Sequence, residues 1–305
     1  MNPGRVVSIG TFDGVHLGHQ AILRELCRQA EAHALPSLVY AFSVPPRWEL
    51  RGDSERYLLL PTVSKLALLG QSADQVQPAT FESVRSMSPA EFIESVLIEQ
   101  LQAHVIVEGE SFRFGRNRAG DLETLRRLGR PKGLDVVCVP PVIVRDEAVS
   151  STRIRNAVRE GDFGTARACL GRAPTVRGAV IQGDRLGSKL GFPTANLAID
   201  PHILLPQPGI FLVHALGKSW AANGLLYIGS RPTLGQGDQR CEVHLLDFDN
   251  RPLYGELIEI HLLTLIRNDQ TFTSLAALQS QIAVDVQSAR ALLPNYRLID
   301  KRIDS

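Results

Sequence analysis

The chain is 305 residues long, 44% hydrophobic and 21% charged, with a formal net charge of +1 at pH 7. That length accommodates two domains, each able to bury a core, and the near-neutral balance excludes a general electrostatic affinity for nucleic acid or anionic membrane. No apolar run approaches a membrane span, the N-terminus lacks a secretory pattern, and Cys27, Cys138, Cys169 and Cys241 lie far apart without C-x-x-C spacing, which predicts free thiols in a cytoplasmic protein.

In chain order, a β-branched run at 6–9 predicts a first strand, followed by a glycine-rich turn and a helix over 21–32. Further strands are predicted at 37–42, 105–107 and 136–139, with helices at 62–69, 88–101 and 121–128. Ser88-Pro89-Ala90-Glu91 reads as a capping box with proline at the first helical position. Such alternation predicts a parallel sheet covered by helices on both faces, with ligands at the carboxyl ends of its strands. Two short helices follow, at 152–160 and 164–170.

After Gly171-Arg172-Ala173-Pro174 the pattern changes. Strands are predicted at 176–181, 211–216, 225–228, 242–248 and 257–263, separated by Gly, Pro and Asp-Asn turns, with one helix at about 274–293. This predicts a small barrel closed by a helix, and hence domains of 1–172 and 173–305.

The first turn reads Gly10-Thr11-Phe12-Asp13-Gly14-Val15-His16-Leu17-Gly18-His19-Gln20. A helix N-terminus offers unpaired N–H groups and a dipole that favour an anion. Two imidazoles beside it suit the charge that grows on a triphosphate attacked at its α-phosphorus. The His-x-Gly-His run resembles the signature of class I nucleotidyltransferases. A second stretch, Ser150-Ser151-Thr152-Arg153-Ile154-Arg155, opens a helix with hydroxyls and arginines that suit phosphate oxygens. Alone, it reads as an N-cap with solvated arginines; beside the histidine turn, it reads as the other half of an adenylyl-transfer site.

In the second half, Gly183, Gly187 and Gly191 stand four apart in a loop that ends Pro193-Thr194-Ala195-Asn196. No Walker A sequence occurs. Thr194 and Asn196, two apart on an extended segment, share a face and offer oxygen ligands suited to Mg²⁺. In Cys241-Glu242-Val243-His244-Leu245-Leu246-Asp247-Phe248, alternation puts Glu242, His244 and Leu246 on one face. His214, His244 and His261 lack metal spacing and read as ordinary strand residues.

Together these motifs resemble the bifunctional prokaryotic riboflavin kinase/FAD synthetase family over nearly the whole chain. The resemblance implies an α/β plus β architecture: a Rossmann-like nucleotidyltransferase domain with a parallel sheet, then a small antiparallel β-barrel kinase domain with a closing helix. It implies that the first domain joins FMN to the adenylyl group of ATP by in-line attack, releasing pyrophosphate and giving FAD. His16 and His19 would contact the ATP phosphates, and Ser151, Thr152 and Arg155 the β- and γ-phosphates. Asp13, Gly14, Gly18, Ser111 and Arg153 would bind nucleotide and flavin. In the second domain, which would phosphorylate riboflavin, the resemblance places Gly183, Gly187, Lys189 and Gly191 at ATP and Thr194 and Asn196 at Mg²⁺. It makes Glu242 the base for the ribityl 5′-hydroxyl and puts Thr233, in Arg231-Pro232-Thr233, and Arg267 near the flavin. Leu253-Tyr254-Gly255-Glu256 matches a turn between strands.

Two departures fall where FMN is expected: Phe42-Ser43-Val44-Pro45-Pro46 lacks the family's histidine, and Ser111 replaces its usual asparagine. They leave open a riboflavin kinase whose adenylyl half is weak or altered; a third alternative is a non-catalytic flavin or nucleotide sensor. The implied partners are small molecules, with neither nucleic acid nor membrane, and the expected state is a monomer or weak homo-oligomer.

Overall fold

Runs of β-branched residues pair side by side because each is apolar on both faces and needs cover on both. The computed structural model describes residues 4–45, 56–183, 186–230, 239–249 and 251–296, excepting the side chains of residues 186, 189, 230 and 239. These form two compact units, 4–45 with 60–151 and 56–59 with 152–296.

In the first unit, β1 (Arg5–Gly10), β2 (Ser37–Phe42), β3 (Gln75–Ala79), β4 (Ala103–Gly109) and β5 (Asp135–Val139) make a parallel sheet in the order β3-β2-β1-β4-β5. The order reverses direction between β1 and β4, which places a ligand crevice at the carboxyl ends of those strands. Its helices are α1 (Leu17–His33), α2 (Thr62–Gly70), α3 (Pro89–Glu91, continuing as a π-helical stretch, Phe92–Gln100) and α4 (Leu122–Gly129). The capping box forms: Ser88 Oγ accepts from Glu91 N, and Glu91 Oε2 accepts from Ser88 N at 2.7 Å. The core runs from Val7, Ile9 and Leu38 on the sheet to Ile93 and Leu97 on α3 and Leu125 on α4. Two features are absent from the sequence reading. β3 contains Pro78 and alternates poorly, and it is an edge strand, where a missing N–H is tolerated. The hairpin of β6 (Ile143–Val144) and β7 (Glu147–Ala148) is too short to carry a period.

The helices of the second unit start with α5 (Ser151–Glu160), whose first residue lies in the first unit, and α6 (Phe163–Leu170). Its strands are β8 (Thr175–Ile181), β9 (Ala195–Ile199), β10 (Gly209–Leu216), β11 (Ala221–Ser230), β12 (Gln239–Leu245) and β13 (Leu257–Asn268). They close into an antiparallel barrel in the order β10-β11-β12-β9-β8-β13. One turn of helix, α7 (Leu186–Lys189), lies between β8 and β9, and α8 (Leu275–Leu292) follows the barrel. Ala289 of α8 packs with Leu212, Leu225, Leu246 and Leu263. The strand expected over 242–248 stops at Leu245. Asp247 has a left-handed φ of 54°, and Leu246 N–H donates to Asn223 O at 2.8 Å. Leu246 is therefore a buried turn residue packed with α8, not a strand partner of Glu242 and His244. The turn at Gly255 forms, with φ 77° and Glu256 N–H donating to Leu253 O at 2.9 Å.

Candidate active sites of the two units

The histidine turn rests on left-handed backbone at Phe12, Gly14 and Val15, with φ of 51°, 82° and 39°. That geometry is costly for a β-branched valine. Burial of the Phe12 and Val15 side chains and a 3.0 Å bond from Val15 N–H to Phe12 O oppose that cost. His16 then caps α1, its Nδ1 accepting from His19 N at 3.3 Å. An accepting Nδ1 leaves the neutral ring's proton on Nε2. The two imidazoles stack with centroids 3.5 Å apart. A Cβ on Gly18 would press on the His16 ring at 3.1 Å, so the glycine between the histidines makes room for that ring.

Ser151 joins the turn across the sequence, its Oγ donating to the backbone oxygen of buried Asp13 at 3.1 Å. The first unit thus assembles Asp13, Gly14, His16, Gly18, His19 and Ser151. Ser111 is exposed in the loop after β4. Thr152, exposed, and Arg153, half-buried, belong to the second unit. So does Arg155, which is buried; its Nε donates to Tyr57 O at 3.0 Å and its guanidinium lies 3.8 Å from the Tyr57 ring centroid.

Two buried ionisable side chains at the carboxyl end of the sheet escaped the sequence reading. Lys65 Nζ donates to Phe42 O at 2.6 Å and Ser43 O at 2.8 Å; burial pulls its ammonium down to about 8, against the pull of Asp13. Glu108 lies within the central strands, where burial pushes its carboxyl up to about 8 against hydrogen bonds from Ile9, Ser8 and Gly109. The available signal was one charge closing the apolar run 105–107, which read as the end of a strand.

In the second unit, Glu242 and Asn196 are register partners on β12 and β9. Thr194 Oγ1 donates to Glu242 Oε2 at 3.0 Å, and Glu242 Oε1 pairs with Arg240. The loop glycines serve these side chains. A Cβ on Gly183 would fall on the Asn196 amide, and one on Gly187 would meet Phe192 O and Thr194 Oγ1. Two cavities share Phe192, Thr194 and His244 as walls. One, of about 870 Å³, is lined by Gly183, Gly191 and Asn196. The other, of about 290 Å³, is mostly apolar and holds Glu242, Tyr227 and Arg267. His244, read from sequence as an ordinary strand residue, bonds to Pro193 O through Nδ1 at 2.8 Å on that shared wall. Arg267 is clamped by Asp285 of α8, with Nε and Nη2 at 2.9–3.0 Å, and Gln281 also donates to Asp285. The Lys189 side chain and Thr233 lie outside the described residues.

The first unit therefore presents hydroxyl and imidazole groups, and the second hydroxyl, amide and imidazole groups, of the kinds that suit phosphate chemistry. The FAD synthetase family matches residues 1–153 and the Riboflavin kinase family matches residues 170–293. A bifunctional riboflavin kinase/FMN adenylyltransferase from Pseudomonas fluorescens is 37% identical over 293 residues, covering 95% of this chain and 93% of that protein. The protein of the same name from Escherichia coli (strain K12) is 34% identical, covering 94% and 92%. A crystal structure from Streptococcus pneumoniae, described as a macrolide-efflux protein, is 29% identical with a TM-score of 0.82 and covers 95% of each chain. Among the described residues here, no helix is long and apolar enough to cross a membrane. The chain belongs to the bifunctional riboflavin kinase/FMN adenylyltransferase family. It is an enzyme with an N-terminal FAD synthetase half and a C-terminal riboflavin kinase half.

Proposed function

We propose that the two cavities of the barrel unit hold the two kinase substrates, with Glu242, on the wall of the smaller one, as the base. The observation that carries this is the 3.0 Å bond from Thr194 Oγ1 to Glu242 Oε2, since Thr194 lines both cavities. The smaller, apolar cavity suits the flat flavin ring, and the larger, glycine-lined one suits ATP. Glu242 takes the proton of the ribityl 5′-hydroxyl as that oxygen attacks the γ-phosphorus, and ADP leaves. Thr194 and Asn196 supply hard oxygens without soft ligands, a donor set that fits Mg²⁺. When bound there, the ion neutralises charge on the ATP phosphates.

In the adenylyl half, the FMN phosphate attacks the α-phosphorus of ATP and pyrophosphate leaves. Donors from His16 and His19 and the N-terminus of α1 stabilise the charge that develops, and Ser151 binds the leaving phosphates; phosphate roles for Thr152, Arg153 and Arg155, which belong to the second unit, rest on the family resemblance alone. The resemblance to the family supports functional modules of 1–172 and 173–305. A cytoplasmic location fits the cofactor chemistry and the free-thiol reading, and the enzyme works as a monomer or weak homo-oligomer.

The test is a chromatographic time course with riboflavin, ATP and Mg²⁺. FMN that rises and gives way to FAD is expected. FMN accumulating without FAD would point to Ser111 and the Pro45 loop as an altered flavin site. No FMN from folded protein would remove Glu242 from its role.

A further inference from the structure

The ladder between β1 and β4 is incomplete. It pairs Arg5–Val7 with Ala103–Ile106 and stops there, while β1 stays paired with β2 as far as Gly10 and β4 with β5 as far as Gly109. The two central strands thus part company at the point where the strand order reverses, and Glu108 fills the gap. Its Oε1 accepts from Ile9 N at 2.5 Å and from Ser8 Oγ at 3.3 Å, with the residue 3% exposed. A side-chain carboxyl takes the place of the missing backbone partner of Ile9. Ile9 leads directly into the histidine turn; Glu108 leads directly into Gly109 and the loop that carries Ser111. An apolar residue at 108 would leave the buried Ile9 N–H without its acceptor, which proteins rarely tolerate.

We propose that Glu108 is a positioning residue for adenylyl transfer: its carboxyl stitches the diverging strands together and sets the spacing between the histidine turn and the Ser111 loop. This rests on the reading of His16 as a phosphate-binding residue. With the carboxyl held uncharged at neutral pH by burial, glutamine is a close stand-in that keeps an acceptor for Ile9. Valine removes the acceptor, and aspartate withdraws it by one methylene.

The experiment measures FMN-dependent FAD synthesis on full-length Glu108→Val, Glu108→Asp, Glu108→Gln and His16→Ala, with riboflavin phosphorylation on the same chains as a control for the other unit. Misplacement of reacting groups by about 1 Å costs on the order of 10²-fold. The expected result is therefore a loss in kcat of about 10- to 100-fold for Glu108→Val and Glu108→Asp, with KM for ATP and FMN nearly unchanged. Glu108→Gln should stay close to the parent. Should Glu108→Val not fold, Glu108→Asp against Glu108→Gln carries the comparison. Full activity in Glu108→Asp or Glu108→Val, or equal loss in Glu108→Gln, overturns the proposal. Full FAD synthesis by His16→Ala would instead overturn the reading of the histidine turn, a separate failure.

Discussion

Glu242 has an oxygen for each neighbour: Oε1 faces Arg240 and Oε2 takes the Thr194 hydroxyl. Glu242→Gln keeps the shape and removes the ability to take a proton. General-base assistance is typically worth roughly 10²- to 10⁴-fold, so riboflavin phosphorylation should fall by that order while FAD synthesis from supplied FMN is untouched. Initial rates of the two half-reactions on one preparation check both statements. Arg267 is a different case, because the sequence leaves it either a flavin contact or a structural role, capping strand carbonyls or pairing with nearby Asp269. Its guanidinium is held by Asp285, which is 2% exposed, and it lines the apolar cavity with Asp285 beside it. Removing one member of a buried ion pair strands the other charge, at about 3–5 kcal/mol. Asp285→Ala should lower the urea midpoint of the barrel unit accordingly and raise the KM for riboflavin; an unchanged midpoint would mean that water replaces the carboxylate.

At the scale of elements, the carboxyl edge of the parallel sheet carries an unusual electrostatic load. Glu108 titrates near 4.5 when unfolded and at about 8 when folded, so the folded state holds the extra proton between those values and stability falls as pH rises through them. Lys65 titrates near 10.5 when unfolded and at about 8 when folded. Here the unfolded state holds the extra proton, and stability rises with pH above about 8. Together the two groups give the sheet unit a stability minimum near pH 8. Denaturant midpoints of the full chain from pH 6 to 10 should show it, with Glu108→Gln flattening the acid side and Lys65→Met the alkaline side. The same elements mark what a sequence discloses. The strands at 6–9 and 37–42 and the helix at 62–69 were legible because their apolar periods continue to their ends. β3 and β9 were not, since an edge strand and a short barrel strand bury too little to impose alternation. The motif residues were legible as letters, but their supports were not. Glu108 and Asp285 derive their importance from partners 99 and 18 residues away, and no local pattern encodes such distances.

For the whole molecule, the described residues of the proposed kinase site, Thr194, Asn196, Arg240, Glu242, Arg267 and Asp285, all fall within the second unit. The stacked histidines and Asp13 belong to the first. Substitution at His16 should therefore leave FMN synthesis intact, and substitution at Glu242 should leave adenylyl transfer intact. Neither His16→Ala nor Glu242→Gln should convert riboflavin to FAD efficiently alone, the first stalling at FMN and the second making little FMN at all. If FMN leaves the barrel between the two steps, an equimolar mixture of the variants should restore FAD formation after a lag, because FMN made on one chain is consumed on another. The lag should shorten as total protein rises, since the FMN pool then fills faster. A mixture that accumulates no FAD, with each half-reaction normal on its own variant, would show that FMN made in the barrel does not reach the first unit of another chain.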